Sequence, residues 1–454
     1  MIEIYDSFSR KYVRLGPAKK INLYVCGITT SDYCHLGHAF SSIVFEVLDR
    51  FLSHQKFDVY RVQNFTDVDD KILNKSIEEG ASMKEVAEKY TKAFFEDMDA
   101  LGIKRASIYP KATDEIENII SFILGLEKKE LTYIKNNSVY FRANKFDEYG
   151  KLSGRKLDDA KTGTRVNIDL GKESQEDFAL WKSAKNDEPG WKSPWGLGRP
   201  GWHIECSSMV INTIGETVDI HGGGIDLIFP HHENEIAQSE SLTGKKFANI
   251  WMHNGMVKLS GEKMSKSLGN LITVREALNE FDSDQIRMWI LSSHYRSPLI
   301  YSKELISSQS RPLSRLRESL KNVENNNTEN TDYAKEKEIF INALSSDLNT
   351  PVALSQVLLL SKKINSGNNQ GHDTREARKT LNSMVSVLGL CQSKKDLKND
   401  IDDIKIEIRE LINKRETYRK NKEFAKSDQI RDVLIEKGVK LIDKPGGNTD
   451  WELI

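Results

Sequence analysis

The sequence predicts an α/β fold whose first part is a parallel sheet and whose later part is helical. Residues 21–27 (INLYVCG) form an apolar run that ends in Gly, a polar loop follows, and apolar residues then recur at helical spacing up to Phe51. A second strand is predicted at 57–62, and strand, loop, helix, strand is the order of a right-handed βαβ unit. Beyond about residue 300, strand signals give way to helical periodicity. We therefore expect a Rossmann-type parallel sheet followed by an α-helical bundle.

Changes in composition along the chain indicate where domains begin and end. Strand signals resume at 217–221 and 249–252, after a stretch rich in Pro and Gly at 185–201 that closes an insertion. Polar tracts at 324–332 and 365–373 predict flexible loops between helices. The expected organisation is 1–110 as the first half of the sheet domain, 111–200 as a connective insertion, 201–300 as the second half of the sheet domain, 301–390 as the helical bundle and 391–454 as a small C-terminal module.

Length, charge and cysteine content exclude several classes of protein. The 454 residues exceed what one hydrophobic core organises. No apolar run approaches the roughly 20 residues that cross a bilayer. The 66 Lys and Arg nearly balance the 67 Asp and Glu, which excludes a protein that coats polyanions non-specifically. The N-terminus has no secretory pattern, and four cysteines without a CxxC pair do not predict disulfides, so we expect a cytoplasmic protein.

His35 and His38 form the first candidate site. They flank Leu36 and Gly37 after the first strand and open the predicted helix, where free backbone N–H groups and the helix dipole favour an anion. Gly37 leaves room for a nucleotide to approach the backbone. A triphosphate fits such a site. On spacing alone, two solvated surface histidines explain the pattern at least as well.

The second candidate site is a lysine-rich loop at 258–270 (KLSGEKMSKSLGN). Lys263 and Lys266 are three residues apart, with Gly261 and Gly269 on either side. Two ammonium groups on a glycine-flanked loop can neutralise the charge that develops on a departing phosphate. From composition alone, a solvated basic turn is the alternative. The combination of HxGH with KMSKS about 230 residues later is far more specific than either motif alone.

The two motifs in this order resemble the signature of class I aminoacyl-tRNA synthetases. Segments along essentially the whole chain resemble cysteinyl-tRNA synthetases: YVCGITTSDYCHLGH, NFTDVDDKI, YGKLSGRKLDD, GRPGWHIECS, DIHGGGIDLIFPHHENEIAQSE and WMHNGMVKLSGEKMSKSLGN. The resemblance implies a monomeric enzyme in which ATP, accompanied by Mg²⁺, and L-cysteine form cysteinyl adenylate, and the cysteinyl group passes to the 3′-terminal adenosine of tRNA(Cys). His35, His38, Lys263 and Lys266 are then the catalytic residues.

The resemblance also implies a zinc site. In the family, the positions that match Cys26, Cys206, His231 and Glu235 hold one zinc ion per chain, and Cys34 matches none of them. Two thiolates, an imidazole and a carboxylate suit tetrahedral zinc. Without the resemblance, cysteines outside a CxxC pattern are more simply interpreted as packing residues. Zinc would distinguish a thiolate from a serine hydroxyl, which a hydrophobic pocket separates by only about 1–3 kcal/mol.

Further residues match substrate contacts of the family. Trp202 and His221 match positions that line the amino-acid pocket, and Thr66, at the end of the second strand, is within reach of the substrate ammonium or carboxylate. Each is also consistent with an ordinary core or capping role. Asp226 is a candidate for the ribose hydroxyls of ATP. The expected ATP-binding set is His35, His38, Gly222, Gly223, Gly224, Asp226 and Lys266.

The C-terminal module carries a basic segment at 409–426, with seven basic and three acidic residues. A helix with that composition can lie along phosphates, and Tyr418 and Phe424 can stack on unpaired bases. A solvated helix face is the alternative. The sequence that follows, SDQIRDVLIEKGVKLIDKPGGNTDW, resembles the anticodon-binding module of the family, which favours RNA.

Three positions depart from the family pattern. Ser31 stands where Tyr is usual, and Phe40 and Gln63 stand where Arg is usual. These changes affect secondary contacts and leave the signature and zinc positions intact. A related ligase that joins cysteine to an amino sugar lacks the terminal RNA module. A non-catalytic tRNA-binding or zinc-storage relative would be expected to lose HxGH or KMSKS, so both rivals are disfavoured.

Overall fold

The computed structural model describes most of the chain. It leaves out residues 156–171, 186–187, 260–261, 264–270, 322, 324–330, 393–407, 410, 420, 422, 437–438, 444–448 and 454. Lys266 and most of the KMSKS motif therefore lie outside the described residues, as does most of the polar tract 324–332.

The strands are numbered in chain order. They are β1 (Glu3–Asp6), β2 (Lys11–Arg14), β3 (Lys20–Thr29), β4 (Asp58–Thr66), β5 (Thr132–Lys135), β6 (Ser138–Phe141), β7 (Phe178–Ser183), β8 (Trp191–Ser193), β9 (Gly196–Pro200), β10 (Val218–Gly224), β11 (Ala248–Asn254), β12 (Val257–Leu259), β13 (Glu262–Lys263), β14 (Leu299–Tyr301), β15 (Val439–Asp443) and β16 (Thr449–Leu453).

The α-helices are numbered in the same way. They are α1 (Leu36–His54), α2 (Asp70–Glu79), α3 (Met83–Ala100), α4 (Ile116–Lys128), α5 (Trp202–Thr213), α6 (Glu233–Thr243), α7 (Val274–Glu280), α8 (Ser283–Leu291), α9 (Lys303–Ser307), α10 (Ser310–Ser319), α11 (Ala334–Ser345), α12 (Thr350–Gln370), α13 (Arg375–Val387) and α14 (Phe424–Glu436). Residues 408–409 and 411–419 are also helical. Among the described residues, no helix combines the length and apolar character needed to span a membrane.

A four-stranded parallel sheet, in the order β11-β10-β3-β4, forms the centre of the first part. Helix α1 connects β3 to β4 and buries an apolar face that includes Phe40, Ile43 and Phe51. Because β4 lies on one side of β3 and β10 on the other, the strand order reverses at β3. Ligands of such sheets bind beyond the carboxyl ends of the strands at this point. The predicted Rossmann-type α/β fold is confirmed.

Two local expectations differ from the structure. The strand expected at 217–221 is longer, because β10 also includes the three glycines at 222–224. The tract 365–373 is not a loop over most of its length, because α12 continues to Gln370 and ends at Gly371, which has a φ of +78°. Ile364 and Gly367 are buried on that helix, so tertiary packing outweighs the polar composition of the segment.

The insertion forms a sheet of its own, the helical part packs against α1, and the C-terminal part has a separate apolar cluster. The insertion forms an antiparallel sheet in the order β5-β6-β7-β9-β8, and α4 packs with it around Phe122 and Trp181. Helices α11 to α13 contribute Phe340, Leu354 and Leu381 to the buried cluster that also contains the apolar face of α1. Helix α14 and the hairpin β15–β16 share a separate apolar cluster.

Candidate functional site

The candidate site lies beyond the carboxyl ends of β3 and β10. A cavity of about 700 Å³ lies between the start of α2, the insertion and the start of α5, and its lining includes Lys182, Arg199 and Trp202. At the start of α2, the carboxylate of Asp70 accepts hydrogen bonds from Lys182 Nζ at 2.6 Å and Arg199 Nη2 at 2.5 Å. These ion pairs join the insertion to the sheet domain at the rim of the cavity.

Cys26, Cys206, His231 and Glu235 meet in one place and are called the donor cluster below. Cys26 lies in β3, Cys206 in α5, His231 in the single turn before α6, and Glu235 in α6 itself. All four are buried, and their ligand atoms lie within 4.8 Å of one another. Cys26 Sγ is 3.8 Å from Cys206 Sγ, and His231 Nε2 is 3.1 Å from Glu235 Oε1. The structure therefore brings together four residues that the sequence spreads from position 26 to position 235.

The donor cluster fits a tetrahedral zinc ion. A Zn–S bond of about 2.3 Å sets the separation of two thiolates near 3.8 Å, which is about the Cys26–Cys206 distance of 3.8 Å. Burial raises the pKa of the Cys26 thiol and lowers the pKa of His231. A bound cation reverses the effect on the thiol because it stabilises the thiolate, and neutral imidazole is the form that binds metal.

A second group of donors overlaps the first. Cys26 and Glu235 also lie within 4.8 Å of His221 and His232. His221 Nε2 is 2.9 Å from Glu235 Oε2, and His232 Nε2 is 3.3 Å from Cys26 Sγ. Two thiolates make the donor cluster the softer set, which favours it for zinc. His221 and His232 are then hydrogen-bond partners that orient the donors.

Sequence reasoning missed three histidines around the donor cluster. His203 Nδ1 is 2.9 Å from His231 Nδ1, His232 Nδ1 is 2.8 Å from His253 Nε2, and His253 Nδ1 is 2.8 Å from Ser7 Oγ. Burial lowers the pKa of both His203 and His253 to about 3, so both are neutral at pH 7. Adjacency to a predicted ligand is a sequence signal for His232, but no local pattern points to His203 or His253.

The predicted amino-acid contacts lie beside the donor cluster. Trp202, Glu205 and Cys206 share one face of α5 because they are three and four residues apart. The Trp202 ring stacks on His231 with ring centroids 4.4 Å apart. Thr66 Oγ1 donates to Glu205 Oε2 at 2.9 Å, and burial raises the pKa of Glu205 well above its usual value. Glu205 was not predicted, although its spacing from Trp202 marks it as a neighbour.

His35 and His38 stand at the start of α1, as predicted, and are called the signature pair below. His35 is the N-cap, and its Nδ1 accepts from Gly37 N at 3.0 Å. The two imidazole rings stack with centroids 3.7 Å apart. Burial lowers the pKa of both side chains, while the carboxylate of Asp226 opposes this at His35. Asp226 is exposed, and its electrostatic effect indicates that it lies near the signature pair.

The glycines of β10 are required by close packing. A Cβ on Gly222 would lie 2.3 Å from the ring of Phe45 on α1. A Cβ on Gly223 would lie 3.0 Å from the ring of His232. The strand can therefore pass between α1 and the histidines only without side chains at these positions.

The chain that follows the lysine-rich loop re-enters the described structure close to the signature pair. Lys263 is in β13, which pairs with β12, whereas Lys266 lies outside the described residues. After the gap, Ile272 O accepts from Leu36 N at 3.0 Å, and Val274 N donates to Cys34 O at 2.8 Å. The end of the loop is thus hydrogen-bonded to the backbone on both sides of His35.

The positions that depart from the family pattern are buried. Ser31, Phe40 and Gln63 are 6%, 1% and 5% exposed, and Phe40 belongs to the apolar face of α1.

In the C-terminal segment, Phe424 is 61% exposed, but Arg415 is buried. Arg415 therefore points away from any RNA that contacts the exposed face, which reduces the basic charge predicted for that face.

Comparison with known proteins finds two family models. Residues 13–311 match the model described as tRNA synthetases class I (C) catalytic domain. Residues 339–392 match the DALR domain. Together these matches cover the parallel sheet, its insertion and the helices α11 to α13.

The chain is also similar over its whole length to individual proteins. It is 45% identical to the cysteine–tRNA ligase of Clostridioides difficile (strain 630), over 100% of each chain. It is 44% identical to the cysteine–tRNA ligase of Thermococcus onnurineus (strain NA1), over 100% of this chain and 99% of the relative. Among solved structures, Mycobacterium tuberculosis methionyl-tRNA synthetase in complex with methionyl-adenylate matches with a TM-score of 0.58 at 16% identity, over 81% of this chain and 89% of that one. The last similarity shows the shared fold.

Proposed function

The chain belongs to the cysteine–tRNA ligase family of the class I aminoacyl-tRNA synthetases, and we propose that it uses zinc to select L-cysteine for tRNA(Cys). In the proposed reaction, ATP and cysteine form cysteinyl adenylate, and the cysteinyl group then passes to the 3′-terminal adenosine of the tRNA. Full-length similarity to the cysteine–tRNA ligases supports the overall reaction. The buried donor cluster is the observation that supports selection by zinc. We expect the enzyme to work in the cytoplasm.

Cys26, Cys206, His231 and Glu235 are the residues that would hold the ion. Zinc bound there supplies a Lewis acid that favours a substrate thiolate over a hydroxyl. The chain itself supplies the surroundings. His203 contacts Nδ1 of His231 and so orients that ring, and His221 contacts Oε2 of Glu235 and orients that carboxylate. Such outer partners orient metal ligands and are needed for full affinity.

The cysteine backbone would bind between α5 and the end of β4. Trp202 presents an aromatic face beside His231, and Thr66 presents a hydroxyl that is already held by Glu205. Two fixed contacts of this kind restrict how the carboxylate of cysteine turns towards ATP. Restricting that orientation is the main way in which an enzyme accelerates attack on a phosphate.

The signature pair and the lysines would stabilise the phosphates. His35 and His38 lie at the N-terminus of α1, where backbone N–H groups favour an anion. In the proposed step, a cysteine carboxylate oxygen bonds to the α-phosphorus of ATP and the bond to pyrophosphate breaks. Lys263 and Lys266 would neutralise the departing pyrophosphate, with Mg²⁺ carried by ATP. Gly222, Gly223, Gly224 and Asp226 would receive the adenosine.

Residues 391–454 would bind the tRNA away from the catalytic centre. Their separate apolar cluster supports an independently packed unit, and the exposed ring of Phe424 is available for stacking on a base. Arg409, Lys414 and Arg419 are exposed, so this part of the module presents positive charge to solvent.

The experiment that tests the proposal compares two reactions of the full-length protein after metal analysis. Cysteine-dependent pyrophosphate exchange measures adenylate formation, and charging of tRNA(Cys) measures transfer. We expect one zinc per chain and both activities. We expect Lys266→Ala to slow exchange by about 100-fold with unchanged cysteine binding. Exchange without charging of any tRNA would instead favour the ligase that joins cysteine to an amino sugar, and an active preparation without zinc would refute selection by the ion.

A further inference from the structure

A buried carboxylate in the middle of α1 connects the sheet domain to the end of the helical domain. Glu46 and Arg287 are both fully buried, and Arg287 Nη1 donates to Glu46 Oε2 at 2.7 Å. Glu46 also accepts from the guanidinium of Arg50 and from the backbone N–H of Lys104. Burial raises the pKa of Glu46, but the charges of Arg287 and Arg50 outweigh burial and lower the pKa to about 2. The carboxylate is therefore charged at every working pH.

Both arginines reach the last carbonyl groups of α13. Arg287 Nη1 donates to Leu388 O at 3.2 Å, and Arg50 Nη1 donates to Ser386 O at 3.3 Å. The last carbonyls of a helix lack partners within it, and cationic side chains stabilise that end. Glu46 thus orients two cations that belong to the sheet domain and cap a helix that belongs to the helical domain.

Helix α8 holds the same segment at a second point. Asp284 Oδ1 accepts from the backbone N–H of Cys391 at 3.1 Å. Between the two contacts, Gly389 has a φ of +66°, and a Cβ there would lie 2.4 Å from Arg287 Nη1. These contacts fix the backbone from Ser386 to Cys391 against α8. We call this segment, residues 386–391, the anchor segment.

The anchor segment lies where the helical domain meets the residues proposed to bind tRNA. It ends the region that matches the DALR domain, which extends to residue 392, and it precedes the residues proposed to bind tRNA. Helix α1 is held in the core by a long apolar face, whereas the end of α13 combines the buried side chains of Leu388 and Leu390 with polar contacts to Arg50 and Arg287 that Glu46 orients. Loss of these contacts should disturb the anchor segment more than the signature pair.

We propose that Glu46 and Arg287 are positioning residues that fix the anchor segment on α1 and α8, and so set the direction of the tRNA-binding module relative to the active site. The proposal rests on the proposed function of residues 391–454. Its consequence is that charging of tRNA depends on this buried ion pair although neither residue lies at the donor cluster or the signature pair.

Asp49 provides a matched control on the same helix. It lies three residues after Glu46, is 3% exposed, and its Oδ2 accepts from Arg61 Nε at 3.1 Å. Its other hydrogen-bond partners are Ser53 and Lys104, so it is a buried ion-pair carboxylate whose contacts do not include the anchor segment. Asp49→Asn therefore controls for the loss of a buried charge on α1.

The test uses full-length Glu46→Gln, Arg287→Met, the double variant and Asp49→Asn. We expect the first three to lower kcat/KM for tRNA charging by about 10-fold or more while pyrophosphate exchange stays within about twofold. The double variant should be no worse than the poorer single variant, because both remove one interaction. Asp49→Asn should charge tRNA at the normal rate. A parallel fall of exchange and charging, or equal charging by Glu46→Gln and Asp49→Asn, would overturn the proposal.

Amide hydrogen exchange provides a readout that does not depend on tRNA. Amides of residues 386–392 should exchange faster in Glu46→Gln than in Asp49→Asn, while those of residues 36–45 remain protected. Equal protection of residues 386–392 in Glu46→Gln and Asp49→Asn would show that Glu46 does not fix the anchor segment. If Glu46→Gln does not fold, Gly389→Ala tests the same contact with both charges kept, and it should lower charging but not pyrophosphate exchange. If the unmodified protein charges no tRNA, the proposed function fails, and amide exchange still decides whether the anchor exists.

Discussion

The donor cluster and the signature pair both belong to the proposed active site but are assembled in opposite ways. Cys26 and Glu235 of the donor cluster are separated by 209 residues, whereas His35 and His38 lie within the first turn of one helix. The donor cluster exists only because β3, α5 and α6 are packed together. The signature pair is organised locally by the cap that His35 forms with Gly37. The comparison implies that loss of metal selectivity and loss of phosphate chemistry can be separated by mutation.

The largest effect is expected at the donor cluster. Cys206→Ser removes one of two thiolates, so we expect weaker zinc binding and a loss of at least about 100-fold in the preference for cysteine over serine. The matched control is Cys34→Ser, because Cys34 is also fully buried but lies outside the donor cluster. Zinc content and amino-acid-dependent pyrophosphate exchange measure both variants. Equal preference for cysteine in the two variants would show that the cluster does not select the substrate.

The next effect separates catalysis from helix capping at the signature pair. Asn is a good N-cap residue, so His35→Asn should keep α1 but lose the imidazole. We expect pyrophosphate exchange to fall by about 100-fold with a change in unfolding free energy below about 0.5 kcal/mol. His35→Ala should lose the same activity and in addition about 1 kcal/mol of stability. If His35→Asn kept full pyrophosphate exchange, His35 would act only as the N-cap of α1.

A smaller effect is expected at Trp202, the aromatic side chain beside the donor cluster. Trp202 stacks on His231, and aromatic pairs contribute about 0.5–1.5 kcal/mol beyond simple burial. Trp202→Leu should therefore weaken cysteine binding by roughly 3- to 10-fold, and Trp202→Phe by less. Trp195, which contacts Trp181 in the insertion, supplies the control Trp195→Phe. Calorimetric titration measures the affinity of all three variants for cysteine. Equal affinities would show that Trp202 does not contact the bound amino acid.

The last prediction concerns stability rather than catalysis, through the pH dependence of the contribution of Glu46. Its folded pKa of about 2 lies below the ordinary value of 4.5, so its contribution is present above pH 4.5 and is lost as the pH falls towards 2. The difference in unfolding free energy between the unmodified protein and Glu46→Gln should be constant from pH 7 to 5.5. Below pH 4.5 it should shrink, by about 3 kcal/mol in all if the low pH limit is reached. Urea unfolding at several pH values measures this, and a constant difference down to pH 3.5 would contradict it.

The sheet was predicted well from the sequence because its strands are apolar runs in a βαβ order. Strand ends were less accurate. The apolar pattern marks the second strand only as far as Val62, whereas β4 continues to Thr66, the residue expected at the end of the strand. Gln63 and Asn64 are polar but buried, and Asn64 Oδ1 accepts from Gly27 N at 2.8 Å. A hydrogen bond to the neighbouring strand thus compensates for burying a side chain that alone indicates a loop.

The active site was only partly predictable for the same physical reason. The signature pair has a local pattern, and the resemblance supplied the four donors. His203 and His253 have no such pattern, because each becomes a neighbour of the site only when α5 and β11 pack against it. Glu46 and Arg287 are separated by 241 residues, so their pairing also depends on the assembled core.

The most direct test of zinc selection is charging of tRNA(Cys) by the full-length, zinc-loaded protein with cysteine and with serine. The proposed function predicts efficient charging with cysteine, and discrimination against serine well beyond the roughly 100-fold that a shaped hydrophobic pocket provides. It also predicts that removal of zinc abolishes most of that discrimination. Comparable charging with both amino acids, or discrimination that is unchanged without zinc, would contradict the assignment of the donor cluster.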